Sequence, residues 1–224
     1  MISLDYVLRD ILLAIPLFIY VLIIVSVVTK KLYNFMIGKG LPHNVATYYN
    51  RKVIHITTGG LIALLVPILF KEPLTPFIFA SILGFVTLYP HLKHKELDWF
   101  QTKDNMYEVN FCFAWGASIL ILWLVLGDPW KAIVPALLIS FGDAVTGIVR
   151  NALFGRRTKH WIGNVAMAAV CIPMCAALAG VGGGITAAVA SFVERFEANP
   201  IDDNILISAT ATALLILFYF VGLV

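Results

Sequence analysis

ILLAIPLFIYVLIIVSVVT, residues 11–29, carries no charge over its whole length. It is as long as a helix must be to cross the hydrocarbon core of a bilayer, which takes about 20 apolar residues. Asp5, Arg9 and Asp10 precede it, and Lys30 and Lys31 follow. No small-residue cleavage site comes after it, so it reads as a retained transmembrane helix with its N-terminus outside, not as a secretory signal.

The rest of the chain repeats the pattern. Hydrophobic residues make up 60% of the 224 and charged ones 13%, against about 25% charged in a soluble domain. The mean hydropathy is +0.90. Further spans are expected near 53–70, 74–92, 111–126, 131–154, 161–180, 185–196 and 205–224. The expected fold is an all-α bundle in a single integral-membrane domain, with seven or eight membrane segments. The segment 185–196 is short for a span, and the glycines at 182–184 are expected to separate it from the preceding helix. Counting it as a span places every Lys and Arg except Arg9, Lys71 and Lys131 on one side, out of 16 in all. That bias marks the side as cytoplasmic. The net charge of +3 comes with no basic tail, which leaves nucleic acid out. No internal repeat is visible, which argues against an inverted-repeat transporter. Cys112, Cys171 and Cys175 lie in apolar segments and read as packing residues. No GxxxxGK[ST], GxSxG or HExxH motif occurs.

Four polar clusters gather on the basic side. The first is Arg51-Lys52-Val53-Ile54-His55, then Gly59-Gly60, at the start of the second span. Residues three and four apart share a helix face, so two cations flank an imidazole, a setting suited to a phosphate-rich ligand or to a snorkelling anchor. The second is a stripe on the fifth span: Ser140, Asp143, Thr146, Gly147 and Arg150. Asp143 lies about 10 Å deeper than Arg150 at 1.5 Å per residue. A carboxylate there costs about 2.5–3.5 kcal/mol on insertion scales, so it calls for a partner, either a magnesium ion or a cation on another helix.

The third cluster, Arg156-Arg157-Thr158-Lys159 with Trp161, Gly163 and Asn164, sets basic groups beside a helix N-terminus, which attracts anions. The fourth is Glu194-Arg195 with Ile201-Asp202-Asp203-Asn204, acids fit for a divalent cation or for a cap, with Asn204 placed to be the N-cap of the last helix. The intervening segment 93–110, with His94, Glu96, Asp98, Asp104 and Glu108 after His91, shows no metal-ligand spacing and reads as a solvated loop.

Together these clusters resemble the family of CTP-dependent polyprenol kinases that includes dolichol kinase and phytol kinase, related to the membrane cytidylyltransferases. Arg51, Lys52, His55 and Gly59 match its RKxxHxxxG motif. Gly142-Asp143 and Phe154-Gly155 match its GD and FG pairs. Lys159 and Gly163 resemble its lysine–glycine motif, and Glu194 with Ile201-Asp202-Asp203-Asn204 matches its closing acids, all in the family's order. The chain departs from the family around Thr146 and Arg150 and at 159–164, in the nucleotide region.

The resemblance implies transfer of the γ-phosphate of CTP to the terminal hydroxyl of an isoprenoid alcohol held in the bilayer. Lys52, His55 and Asp143 would be catalytic. Arg51, Thr146, Arg150, Arg156, Arg157, Lys159, Gly163 and Asn164 would bind the nucleotide. Asp143, Asp202 and Asp203 would hold magnesium, with Glu194 and Asn204 in support. His55 or one of the acids would accept the hydroxyl proton. A lipid cytidylyltransferase and a small-anion transporter are the alternatives. The length of the alcohol is not readable from the sequence.

Overall fold

The computed structural model describes residues 4–156, 158–196 and 201–224. Seven helices among them are long and apolar enough to cross a membrane. They are α1 (Leu4–Gly38), α2 (His43–Leu69), α3 (Leu74–Leu92), α4 (Tyr107–Leu126), α5 (Pro129–Phe154), α6 (Trp161–Val193) and α7 (Asp203–Phe220). Thr102 and Asn105 form an isolated β-bridge, and no strand occurs among the described residues. The protein is an all-α bundle.

α6 is not straight. Asn164 Nδ2 donates to the Ser191 carbonyl at 2.6 Å, although 27 residues of straight helix would separate them by about 40 Å. The chain reverses at Ala179–Gly180, where Gly180 takes φ +60°, ψ −153°, a region essentially reserved for glycine. Two antiparallel arms result, 161–178 and 181–193. Counted with these arms apart, the bundle has eight helical segments.

The sequence places the break at Gly182-Gly183-Gly184. The structure puts it two residues earlier, and the three glycines lie inside the second arm. They let the arms close: a Cβ on Gly183 would sit 2.2 Å from the Cys175 carbonyl oxygen. Small residues at such a contact bring helix backbones together. The second arm is about 20 Å long at 1.5 Å per residue, too short to span alone. The reversal is covered by the end of α7, where Gly182 N donates to Leu223 O at 3.0 Å.

The helices also outrun their expected bounds at one end. Residues 30–52, expected as a polar stretch, continue α1 to Gly38 and start α2 at His43. These turns project beyond the apolar spans, and Asn50 Nδ2 ties them together by donating to Thr29 O and Trp99 O. The segment 93–106 is solvated in part, with Lys93, His94, Lys95, Asp98, Lys103 and Asp104 exposed as expected, but its middle is not. It folds inward: Phe100 and Gln101 are buried, and Gln101 Nε2 donates to Glu108 Oε1 and to Thr87 O. Glu108 Oε1 also meets His91 Nε2, so this buried carboxylate oxygen finds two partners and draws the loop in.

The core forms around α5. In its most apolar stretch 78% of residues are buried, against 11% in α1, so α5 is central and α1 marginal. Ile133, Leu137, Leu138 and Ile139 meet Ile119, Leu122, Ile207 and Leu215 there.

α2 and α5 each carry a π-helical turn, His55–Gly60 and Leu138–Gly142. These two turns pack on each other. A Cβ on Gly59 would lie 2.6 Å from Ser140 Oγ, and one on Gly60 would lie 2.5 Å from the Phe141 ring. Each π turn inserts an extra residue and re-aims the side chains beside it. His55 opens the first and Asp143 follows the second, and these two residues meet.

Candidate functional site

Asp143 is the centre of the site. Lys52 Nζ donates to both of its carboxylate oxygens, at 2.7 Å each. His55 Nδ1 lies 2.9 Å from Oδ2, but off the direction of a hydrogen bond. All three residues are buried. The His55 ring stacks on Phe111, with centroids 4.2 Å apart. Gly147 makes room for the lysine: a Cβ there would fall 2.3 Å from Lys52 Cε and 2.5 Å from the Tyr48 hydroxyl. A side chain at 147 and the Lys52–Asp143 pair cannot coexist without a shift.

A second charged group adjoins the first. Glu194, at the end of the α6 hairpin, accepts a two-pronged contact from Arg150 Nη1 and Nη2, at 2.8 Å each. Arg150 Nη2 also reaches Asn164 Oδ1, and its Nε donates to the His160 carbonyl. With all three nitrogens engaged, Arg150 clamps Glu194 in place. Gly163 serves that clamp, since a Cβ there would lie 2.4 Å from Arg150 Nε. Asn164 Nδ2 donates to Glu194 Oε2 as well. Lys159 Nζ bridges Glu194 and Asp203, donating to the Glu194 carbonyl at 3.0 Å and to Asp203 Oδ2 at 2.9 Å. Burial raises the Glu194 carboxyl above its usual range, against the pull of Arg150 and Lys159.

The two groups converge. Asp143, Glu194 and Asp203 each place a carboxylate oxygen within 4.8 Å of the others, all three residues buried. Three hard oxygens at this spacing suit a small dication such as magnesium, which prefers carboxylate and water ligands. The triad differs from the one expected. Glu194 stands where Asp202 was expected, because Asp202 turns away as the N-cap of α7, accepting from Ile205 N at 3.1 Å. Its other oxygen accepts from Asn110 Nδ2 and Asn204 Nδ2. Burial pushes the Asp202 carboxyl up to about 6. Asn204, expected as the cap, lies inside α7 and donates to the Tyr107 carbonyl, fastening α7 to α4.

The remaining expected residues fall at varying distance from this centre. Thr146 is buried beside it, its hydroxyl donating to the Gly142 carbonyl within α5. Arg51 is 8% exposed and lays its guanidinium 4.1 Å from the Tyr107 ring centroid. Arg156 is exposed on the loop after α5. Arg157 lies outside the described residues. Sequence reasoning missed Phe111, Tyr107 and Asn110, which bear on the site from α4. Tyr107 and Asn110 fall in the expected loop 93–110 and Phe111 opens the expected apolar span, and only the packing of α4 against α2 and α7 gives them partners.

An apolar cleft of about 240 Å³ runs beside the site between α1, α2, α3 and α4. At one end it reaches Ala14, Phe70 and Pro76, and at the other Val25, Arg51, His55 and Glu108. At its far end Asp10 Oδ2 accepts from Lys71 N and Glu72 N, and Arg9 donates to Leu69 O, linking α1 to the α2–α3 turn. His55 belongs to both places: it lines the cleft and touches Asp143.

No family model matches this sequence, and no curated protein or solved structure does either.

Proposed function

We propose that this protein is a membrane-embedded kinase that transfers the γ-phosphate of CTP to the terminal hydroxyl of an isoprenoid alcohol. The observation that carries the reading is the position of His55, between a buried carboxylate cluster and an apolar cleft inside the bilayer span. An alcohol with a long hydrocarbon tail needs that combination: lipid-like walls for the tail and a charged centre at its polar end.

Phosphoryl transfer is mostly positioning and charge stabilisation. Lys52 and Lys159 supply cations around the reacting phosphate. Magnesium, held by Asp143, Glu194 and Asp203, would neutralise phosphate oxygens. Arg150 and Asn164 position Glu194. His55 accepts the hydroxyl proton, because it lines the cleft and its Nδ1 lies 2.9 Å from the Asp143 carboxylate. Asp143 favours the imidazolium that forms, as a carboxylate does in other acid–base pairs.

The cleft suits a short alcohol. From Ala14 to Val25 on α1 and from His55 to Phe70 on α2 it extends about 16–22 Å at 1.5 Å per residue. An extended isoprene unit takes about 5 Å, from four carbon–carbon bonds of about 1.5 Å, so three or four units fit. The bias of basic residues puts the site on the cytoplasmic face.

The test is label transfer. Protein in detergent with magnesium receives γ-labelled CTP and a panel of prenyl alcohols, and label in the lipid phase identifies the substrate. The absence of transfer to any alcohol would sink the reading. Formation of a CDP-lipid from a lipid phosphate and α-labelled CTP would move the protein to the cytidylyltransferases.

A further inference from the structure

Around the site end of α2 lies a second pocket of about 480 Å³, between its first two turns, the segment 96–105, Tyr107 and Asn151. Ligand pockets commonly fall between about 300 and 1,000 Å³. Its walls hold three polar atoms that are buried with no hydrogen-bond partner among the described residues: Arg51 Nε, Thr102 Oγ1 and Asn151 Oδ1. Arg51 and Asn151 are only 8% and 4% exposed. Native proteins leave few such groups unmet, and three around one pocket point to a ligand that meets them.

The lining also defines the ligand's character. Tyr48 and Tyr107 line it, and the Arg51 guanidinium lies 4.1 Å from the Tyr107 ring centroid. Such a platform takes a planar base. Among the lining residues Glu96, Asp98 and Asp104 outnumber the cations Arg51 and Lys103, and the carboxylates repel phosphate and accept from hydroxyls. The pocket therefore suits the uncharged half of a nucleotide, not its phosphates. Asn151 stands eight residues from Asp143 on α5, about 12 Å at 1.5 Å per residue, a distance that an extended triphosphate bridges. An acceptor at Asn151 Oδ1 and a donor at Arg51 Nε match an exocyclic amine beside a ring acceptor. Cytosine and adenine offer that pair; in uracil the amine is replaced by an oxygen.

We infer that this pocket binds the base and ribose of the nucleotide donor and selects a base bearing an amino group. The inference rests on the kinase reading above, and it deepens that reading by giving the nucleoside a place apart from the phosphates.

The experiment is equilibrium binding to the full chain in detergent with magnesium, using CTP, ATP, UTP and inorganic tripolyphosphate. Wild type is compared with Asn151→Ala and Thr102→Val. CTP or ATP should bind wild type more tightly than UTP. Each variant should weaken that nucleotide by about tenfold, the effect of one lost hydrogen bond, while leaving tripolyphosphate binding unchanged. Equal weakening of tripolyphosphate, or unchanged nucleotide binding in both variants, would overturn the inference. Tight nucleotide binding with the expected variant pattern but no phosphorylated alcohol would uphold the pocket and remove the kinase. Absence of nucleotide binding in wild type would overturn both.

Discussion

Lys52 and Asp143 face each other with side chains 4% and 6% exposed, so each is the other's main solvent. Removing one charge strands its partner, which costs about 3–5 kcal/mol for a buried pair. Asp143→Asn should therefore abolish phosphate transfer and also lower the thermal midpoint in detergent. The double variant Lys52→Met/Asp143→Leu should recover the midpoint but not the activity, because both charges are gone and so is the centre. Full activity in Asp143→Asn would remove Asp143 from the mechanism. Gly147→Ala tests the same pair from outside. Its Cβ would displace Lys52 Cε, costing about 1–3 kcal/mol for overpacking and slowing transfer at least as much as a lost phosphate contact. At this scale the sequence was informative about Asp143, because a carboxylate deep in an apolar helix demands a partner. It could not choose between Asp202 and Asp203. These adjacent acids differ only in which one caps α7, and that depends on where the helix begins. Nor could it give Arg150 its place. On paper Arg150 is a phosphate ligand, but the approach of the α6 hairpin hands it Glu194 and the His160 carbonyl.

Among the elements, α6 and the cleft carry the sharpest expectations. Gly180 alone permits the reversal, so Gly180→Ala should destabilise the protein by about 1–3 kcal/mol, read as a lower unfolding midpoint. Gly38→Ala, at a glycine where a Cβ meets no atom within 4 Å, serves as the control. The span boundaries of α3, α4 and α7 were legible within a few residues, since each is a single apolar run between polar turns. The hairpin was half legible. Three successive glycines announce a special backbone, yet Gly183 and Gly184 serve close packing against Cys175 and Ala176 and Gly182 packs against Leu223 and Val224, and such contacts cannot be seen in a linear pattern. For the cleft, Ala14→Phe should fill its far end. Turnover of a four-unit alcohol should fall several-fold relative to a two-unit alcohol, measured as the ratio of the two kcat/KM values. An unchanged ratio would mean that the tail lies elsewhere.

For the whole molecule, the fold brings together residues of all four polar clusters, Lys52, Asp143, Lys159 and Glu194 with Asp203, while Asp10, Lys71 and Glu72 meet at the far end of the cleft. The sequence could not foresee that the middle of the segment 93–106 turns inward, because the groups that meet Gln101 there, Thr87 O and Glu108, stand on other elements. The sidedness has a direct check. A cysteine at Lys71 should react with an impermeant thiol reagent on intact cells, and one at Lys95 only after permeabilisation. The reverse pattern would turn the site to the other face.

The Lys52–Asp143 pair also imposes an order on how the chain is made. Its partners are 91 residues apart, so at about 5–20 residues per second the ribosome needs roughly 5–18 s to supply the second after the first. Over that interval α2 resides in the membrane or its insertion machinery with an uncompensated cation, and α5 then brings the counter-charge. Glu194 and Asp203 come later still. The newborn protein is therefore most vulnerable to quality control between the emergence of its second and fifth helices, and a chain that stalls there carries an unpaired lysine as its signal of incompleteness.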